Sequence, residues 1–278
     1  MNALLRVTDL SVTYGRVRRG VTVAPTVCGV SFELSAGAAI GIVGESGSGK
    51  STTARALVGL LPYGGTVELD GALLPLPRSR EQRRRIQMVF QDPTSSLNPS
   101  IRCDRAVMQV LGARFSTAED RRRRAYELLE RVRLPGRLFG AWPSELSGGQ
   151  RQRVAIARAL ATEPQVLIAD EATSALDVSV QATILELLNE LRASTGIGVV
   201  FISHDLTVVR ATCSQVLVMR HGVVVEQGDV ERVYTAPRDE YTRELIAAVP
   251  SIRVLSQTHE VDTGALPTPP RWVLAESA

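Results

Sequence analysis

The 278-residue chain has only three cysteines, Cys28, Cys103 and Cys213, and no CxxC spacing among them. That scatter argues against a disulfide framework or a cysteine metal cluster and predicts three free, buried thiols. Long apolar runs are also missing: none approaches the ~18 residues that would suggest a membrane span. The amino-terminal stretch MNALLRVTDL carries Arg6 and Asp9 inside its only apolar segment. It does not read as a secretory signal, and a cytosolic chain is expected. Neither sign of charge dominates, with 32 Lys+Arg against 29 Asp+Glu and a net charge of +3. This mildly basic balance permits contact with nucleic acid or anionic membrane but argues for neither. With 44% hydrophobic and 22% charged residues, the composition is that of an ordinary soluble globular protein, long enough for one or two domains with a real core.

The first third alternates like β-structure. LLRVTDLSVTY and VCGVSFEL read as strands around a basic loop, RVRRG. AAIGIVG is a short buried strand running into a glycine loop, STTARALVGLL is the helix after it, and GTVELDGALL is a further strand and turn. A loop rich in Pro, Ser and Asn follows, QDPTSSLNPS. From about Cys103 to Trp142 the spacing becomes helical, in RAVMQVL and TAEDRRRRAYELLERVRL, which predicts an inserted helical subdomain. The arginine run 121–124 reads as the solvated face of an amphipathic helix, balanced by Glu119, Asp120, Glu127 and Glu130. After Gly149 strands and helices alternate again: QRQRVAIARALAT, QVLIADE, VQATILELLNELRAST, GVVFISHD, SQVLVMRHG and VVVEQG. That alternation predicts a mainly parallel sheet with helices on its faces. The stretch from about Pro250 contains PTPP and little periodicity, and reads as a loosely packed tail.

Residues 44–51, GESGSGKS, fit G-x-x-x-x-G-K-[ST] between a strand and a helix. The glycines let the backbone turn tightly and aim N–H groups at phosphate oxygens, and the helix adds its positive end. Lys50 is expected to reach the β- and γ-phosphates, and Ser51 to ligate Mg2+. Asp170 and Glu171 close the apolar strand VLIADE, at the strand edge where parallel sheets bind ligands. Asp170 suits a partner of the metal, and Glu171 suits a group that orients an attacking water. His204 also follows a strand, and Gln91 follows MVF; neither is informative alone. The segment ELSGGQRQR, residues 145–153, looks like a second anion-binding corner: small residues, two glycines, then a helix.

Taken in order, these residues resemble the ATP-binding subunits of ABC transporters, over about residues 4 to 248. Tyr14 is similar to the aromatic that stacks on adenine. Gly44, Glu45, Ser46, Gly47, Ser48, Gly49, Lys50, Ser51 and Thr52 match the Walker A loop. Gln91 in VFQDP matches the Q-loop, and ELSGGQ, with Ser147, Gly148, Gly149 and Gln150, matches the family signature. VLIADE matches Walker B, SALD with Asp177 matches the D-loop, and His204 matches the switch histidine. The resemblance implies an α/β P-loop NTPase (RecA-like) core with a mainly parallel sheet, an N-terminal antiparallel β-subdomain and an inserted α-helical subdomain at about 103–145. The ATPase domain would span 1–248 and the tail 249–278. It further implies ATP and Mg2+ as ligands, with Ser51, Gln91 and Asp170 around the metal, and Glu171, His204 and Gln91 in catalysis. In this family two ATPase domains pack head to tail, so Ser147, Gly148, Gly149 and Gln150 would complete a partner's nucleotide site.

QDPTSSLNP, DEATSALDVSVQATILELL and FISHDLTVVRATCSQVLVMRHGVVVEQG resemble the oligopeptide, dipeptide and nickel importers, and there the second ATPase of a pair. Residues 237–250 resemble that branch's carboxyl-terminal extension, which begins about 230. Asp239 and Glu240 stand where the branch usually has His-Pro. The implied partners are a second, unlike ATPase chain, two membrane permeases and, indirectly, an extracytoplasmic solute-binding protein. The implied location is peripheral, on the cytoplasmic face of the membrane. No iron–sulfur centre is expected, since no cysteine follows Cys213. The competing reading is a soluble ABC ATPase acting on nucleic acid or ribosomes. Those usually carry an inserted coiled coil or two ATPase units, neither of which is read here, and no nucleic-acid partner is expected.

Overall fold

The computed structural model describes residues 3–14, 24–91, 97–112, 114–171 and 178–248, and only the backbone of Val178. The loop RVRRG at 16–20, the stretch DPTSS at 92–96, Asp177 with the rest of SALD, and the tail lie outside them.

Two sheets form the frame. The first is antiparallel, in the order β2-β1-β4-β5, from β1 (Leu5–Val12), β2 (Val27–Leu34), β4 (Gly64–Leu69) and β5 (Ala72–Leu73). The second runs β10-β9-β3-β8-β7-β6, from β3 (Ala39–Val43), β6 (Ile86–Val89), β7 (Val166–Asp170), β8 (Gly198–Ser203), β9 (Gln215–Arg220) and β10 (Val223–Asp229). All its pairings are parallel except β9 with the edge strand β10. β3 and β7 are buried at every residue, as strands covered on both faces must be.

The helices are α1 (Lys50–Leu57), α2 (Arg80–Arg85), α3 (Cys103–Leu111), α4 (Ala118–Arg131), α5 (Gly148–Leu160), α6 (Val178–Thr195), α7 (Leu206–Thr212), α8 (Val230–Thr235) and α9 (Glu240–Ala247). None of those described is long and apolar enough to cross a membrane. The parallel sheet divides the core in two, because alternate residues of a strand face opposite sides. Ile40, Ile42, Ile168, Val200 and Ile202 pack with α1 and the antiparallel sheet. Val43, Leu167, Val199 and Phe201 face the cluster that holds α3 to α7.

Helix α4 shows how the arginine run is accommodated. Thr117 caps its first turn by accepting from the Asp120 amide at 3.0 Å. Ala125, Leu128 and Leu129 fill the buried face, while Arg123 pairs with Asp120 and Arg124 with Glu127 and Glu163 at the surface. Two polar joints tie the parts together. Asp70, at the β4–β5 turn, accepts from Arg85 and from Gln165. Arg133, just past α4, bonds Glu186 and Glu190 on α6.

One expectation fails. Cys28 is exposed, because β2 alternates and turns Val27 inward, leaving its neighbour on the solvent face. Cys103 and Cys213 are buried, and burial pushes their thiols up to about 11 and about 12, so both stay protonated and inert at neutral pH.

Gly41 marks a close approach of α7 to β3. A Cβ there would lie 2.2 Å from Val209 Cγ1 of α7. Gly41→Ala should therefore destabilise the chain by about 1–3 kcal/mol through overpacking. Urea unfolding would measure it, with a lower midpoint and an unchanged slope; an unshifted midpoint would mean that α7 moves aside freely.

Candidate active site

The parallel register brings three strand ends together. Val43 pairs with Ser203, and Asp170 with Ile202. The residues that follow these strands, the loop 44–49, Glu171 and His204, therefore emerge side by side.

The loop depends on backbone angles that side chains resist. Gly44, Gly47 and Gly49 have φ of 150°, 82° and 104°. A Cβ on Gly44 would come within 2.2 Å of the Met219 carbonyl, so this position needs glycine for space as well as for conformation. Gly49 starts α1 with no side-chain cap, which leaves the first amides of the helix available to an anion. The Lys50 Nζ donates to the Gly44 and Glu45 carbonyls, both at 2.7 Å, and lies 3.5 Å from Ser48 Oγ. Burial pushes the Lys50 amine down, and Glu171, Asp170 and Glu45 push it back up.

Ser51 donates its hydroxyl to Asp170 Oδ1 at 3.0 Å. Asp170 is buried, which raises its carboxyl, while the Ser51 hydrogen bond works against that rise. Glu171 has a φ of 43°, and its amide donates to the Ile202 carbonyl at 2.9 Å. Its side chain is hydrogen-bonded on one side and approached on the other. Gln91 Nε2 donates to Glu171 Oε2 at 2.7 Å, and His204 Nδ1 lies 3.6 Å from Glu171 Oε1. Gln91 reaches this point from the end of β6 and His204 from the end of β8. A cleft beside the loop is lined by Gly44, Glu45, Ser46, Glu171, His204 and Leu245. Tyr14 is exposed at the far side, its hydroxyl 3.3 Å from Thr52 Oγ1.

The structure thus brings together Tyr14, the loop residues, Gln91, Asp170, Glu171 and His204. Asp177 lies outside the described residues. The signature segment satisfies itself elsewhere. Ser147 caps α5 by accepting from the Gln150 amide at 3.3 Å, and Gln150 Oε1 accepts from the Ser147 amide at 2.9 Å. None of Ser147, Gly148, Gly149 and Gln150 lines the cleft beside the loop. Gly149 is also constrained in a way that its motif does not reveal: a Cβ there would lie 2.4 Å from Val180 Cγ1 of α6. Sequence reasoning also missed Tyr241, whose hydroxyl meets the Glu45 amide at 2.8 Å from a position 196 residues away. Only the likeness of residues 237–250 to a known extension marked its segment.

The sequence profile described as ABC transporter matches residues 27–174. The chain belongs to the ABC transporter family. It is 46% identical over 260 residues to the peptidoglycan transport ATP-binding protein YejF of Agrobacterium fabrum, covering 89% of this chain and 47% of that protein. It is 46% identical over 238 residues to the oligopeptide transport ATP-binding protein OppD of Mycobacterium tuberculosis, covering 84% and 39%. A putative peptide import ATP-binding protein of Brucella abortus is 45% identical over 245 residues, covering 86% and 73%. The chain spans about half the length of the YejF protein. Among solved structures, the dimeric post-hydrolysis state of the ATP-binding cassette MJ0796 bound to ADP and Pi superposes with a TM-score of 0.71 at 30% identity, covering 81% of this chain and 98% of that one. CbiO1 of Clostridium perfringens, part of the transporter complex cbiONQ, gives 0.74 at 29% identity, covering 90% and 97%.

Gly149 offers a test of packing that is separate from any nucleotide. Gly149→Ala should cost about 1–3 kcal/mol by pressing on Val180. Ser147→Ala should cost about 1 kcal/mol through the lost cap. Thermal unfolding of the dilute chain without nucleotide would check both; a Gly149→Ala variant as stable as its parent would leave that glycine with no packing role.

Proposed function

We propose that this chain is the ATP-binding and ATP-hydrolysing subunit of an ABC importer for peptides or a related small solute, such as nickel, glutathione or an opine. The observation that carries this reading is the convergence of Lys50, Ser51 with Asp170, and Glu171 with Gln91 and His204 at the ends of three parallel strands. The names of the peptide-transport relatives support the solute class, and the dimeric cassette with ADP and Pi supports hydrolysis by a dimer.

The chemistry is positioning and charge stabilisation. Loop amides and Lys50 hold the phosphates, and Tyr14 stacks on the adenine. Ser51, Asp170 and Gln91 would hold Mg2+; a hydroxyl bonded to a buried carboxylate is the hard oxygen set that this ion takes. Magnesium, when bound, neutralises charge on the phosphates. Glu171 orients and polarises the attacking water, and His204 contacts the γ-phosphate. Ser147, Gly148, Gly149 and Gln150 cap the γ-phosphate in a partner ATPase, with Asp177 at the same interface.

ATP then joins two chains, and hydrolysis parts them. The motion passes to the permeases through the helical region at about 103–145 and through Gln91. A groove lined by Gln87, Phe90, Val110 and Arg158, between β6, α3 and α5, lies beside that glutamine. The proposed setting is the cytoplasmic membrane face, with two permeases, a second and unlike ATPase and, indirectly, a solute-binding protein.

Glu171→Gln should retain ATP binding, lose hydrolysis by about 100-fold or more and accumulate an ATP-bound dimer on size-exclusion chromatography. Hydrolysis at the parental rate would remove Glu171 from its role. Ser147→Arg should leave ATP binding by the monomer nearly intact and block that dimer; loss of binding in the monomer would contradict the assignment of the signature to a partner's nucleotide.

A further inference from the structure

We infer that Tyr241 is a positioning residue for ATP, fixing the outer limb of the phosphate loop from the carboxyl-terminal helix. The inference rests on the ATPase reading above and extends the working site to an element outside the nucleotide-binding motifs.

Tyr241 is 2% exposed, and its hydroxyl oxygen accepts from the Glu45 amide at 2.8 Å. Glu45 is the second residue of the loop, ahead of Gly47 with its positive φ. On the other side of that turn, the Gly222 amide donates to the Ser48 carbonyl at 3.0 Å. The exposed tip, Ser46 and Gly47, is therefore held between two backbone anchors. Both come from the last part of the described chain, one from the β9–β10 hairpin and one from α9.

The tyrosine is itself firmly placed. Asp239 caps α9, accepting from the Tyr241 and Thr242 amides at 2.9 and 3.4 Å. Glu226 on β10 accepts from the Arg238 and Asp239 amides at 3.0 and 3.1 Å and so fixes the turn before the helix. The Arg220 guanidinium lies 4.6 Å from the Tyr241 ring centre. Leu245, one turn further along α9, lines the cleft with Gly44 and Glu171. The acids that replace the usual His-Pro are thus compatible with the contact, because Asp239 supplies the cap.

Without the hydroxyl, the Glu45 amide loses this acceptor and the loop samples other conformations. ATP would then bind only the competent fraction, and its apparent affinity would fall by that fraction.

The test uses the full chain and MgATP, with Tyr241→Phe beside Tyr63→Phe. Tyr63 donates to the Leu74 carbonyl at 3.1 Å, away from the loop, and so reports the loss of a tyrosine hydroxyl as such. Tyr241→Phe should raise the calorimetric Kd and the KM for ATP by about 3- to 10-fold, with kcat within about 2-fold. Tyr63→Phe should change neither. A Tyr241→Phe Kd within about 1.5-fold of the parent, or an equal rise in Tyr63→Phe, overturns the inference and leaves the ATPase reading intact. A parent chain that binds no MgATP overturns the ATPase reading and this inference together.

Discussion

The parallel register of β3, β7 and β8 is the constraint on which the site depends. Val43 beside Ser203 and Asp170 beside Ile202 set three strand ends level. Within β3 and β7 every residue is buried, so the polar chemistry gathers where these strands stop. Parallel neighbours also need long crossovers. That is why Lys50, Asp170 and His204 are so far apart in the chain yet share one edge. The position also explains the unusual backbone there: the chain must leave a fully packed strand and turn at once, which the glycines of the loop and the positive φ of Glu171 accomplish.

The same edge balances buried charge. Lys50 and Asp170 are both buried, and burial moves each away from its charged form. Neither is left isolated: Lys50 is held by two carbonyls and offset by three carboxylates, and Asp170 by the Ser51 hydroxyl. Paired in this way, the charges can be kept dry where a lone one could not. Attraction for an anion then comes from oriented amides and the start of α1 as well as from the lysine, which makes the site directional rather than merely positive.

Much of this was legible because it is local. A buried strand, a glycine loop and a helix occur in one run of sequence, and so do an apolar strand and its two terminal acids. The alternation of strands and helices likewise announced a mainly parallel sheet. Contacts between distant segments were not legible. The Tyr241 hydroxyl meets Glu45 across 196 residues, and no periodicity marks it. Gly149 read as part of an anion corner, whereas its buried side is fixed by Val180 of another helix. The exposure of Cys28 followed from which face of β2 turns inward, a matter of register that composition does not carry. Gln91 and His204, uninformative alone and given roles only by the family resemblance, stand on either side of one carboxylate.

On the proposed reading, the signature segment carries its motif on one molecule and its function on another. Ser147 and Gln150 satisfy each other, and Gly149 is held by packing on α6, so the segment is complete as local structure without any nucleotide. A phosphate offered by a second chain would find the start of α5 already formed, and little ordering would be required on binding. On the proposed reading, that preorganisation makes ATP a shared ligand whose second set of contacts exists only in the closed pair. The contacts that favour closure are then the contacts that hydrolysis removes. Each chain's affinity for its own nucleotide becomes linked to the presence of the other chain, and the linkage must be reciprocal because it is a coupling free energy.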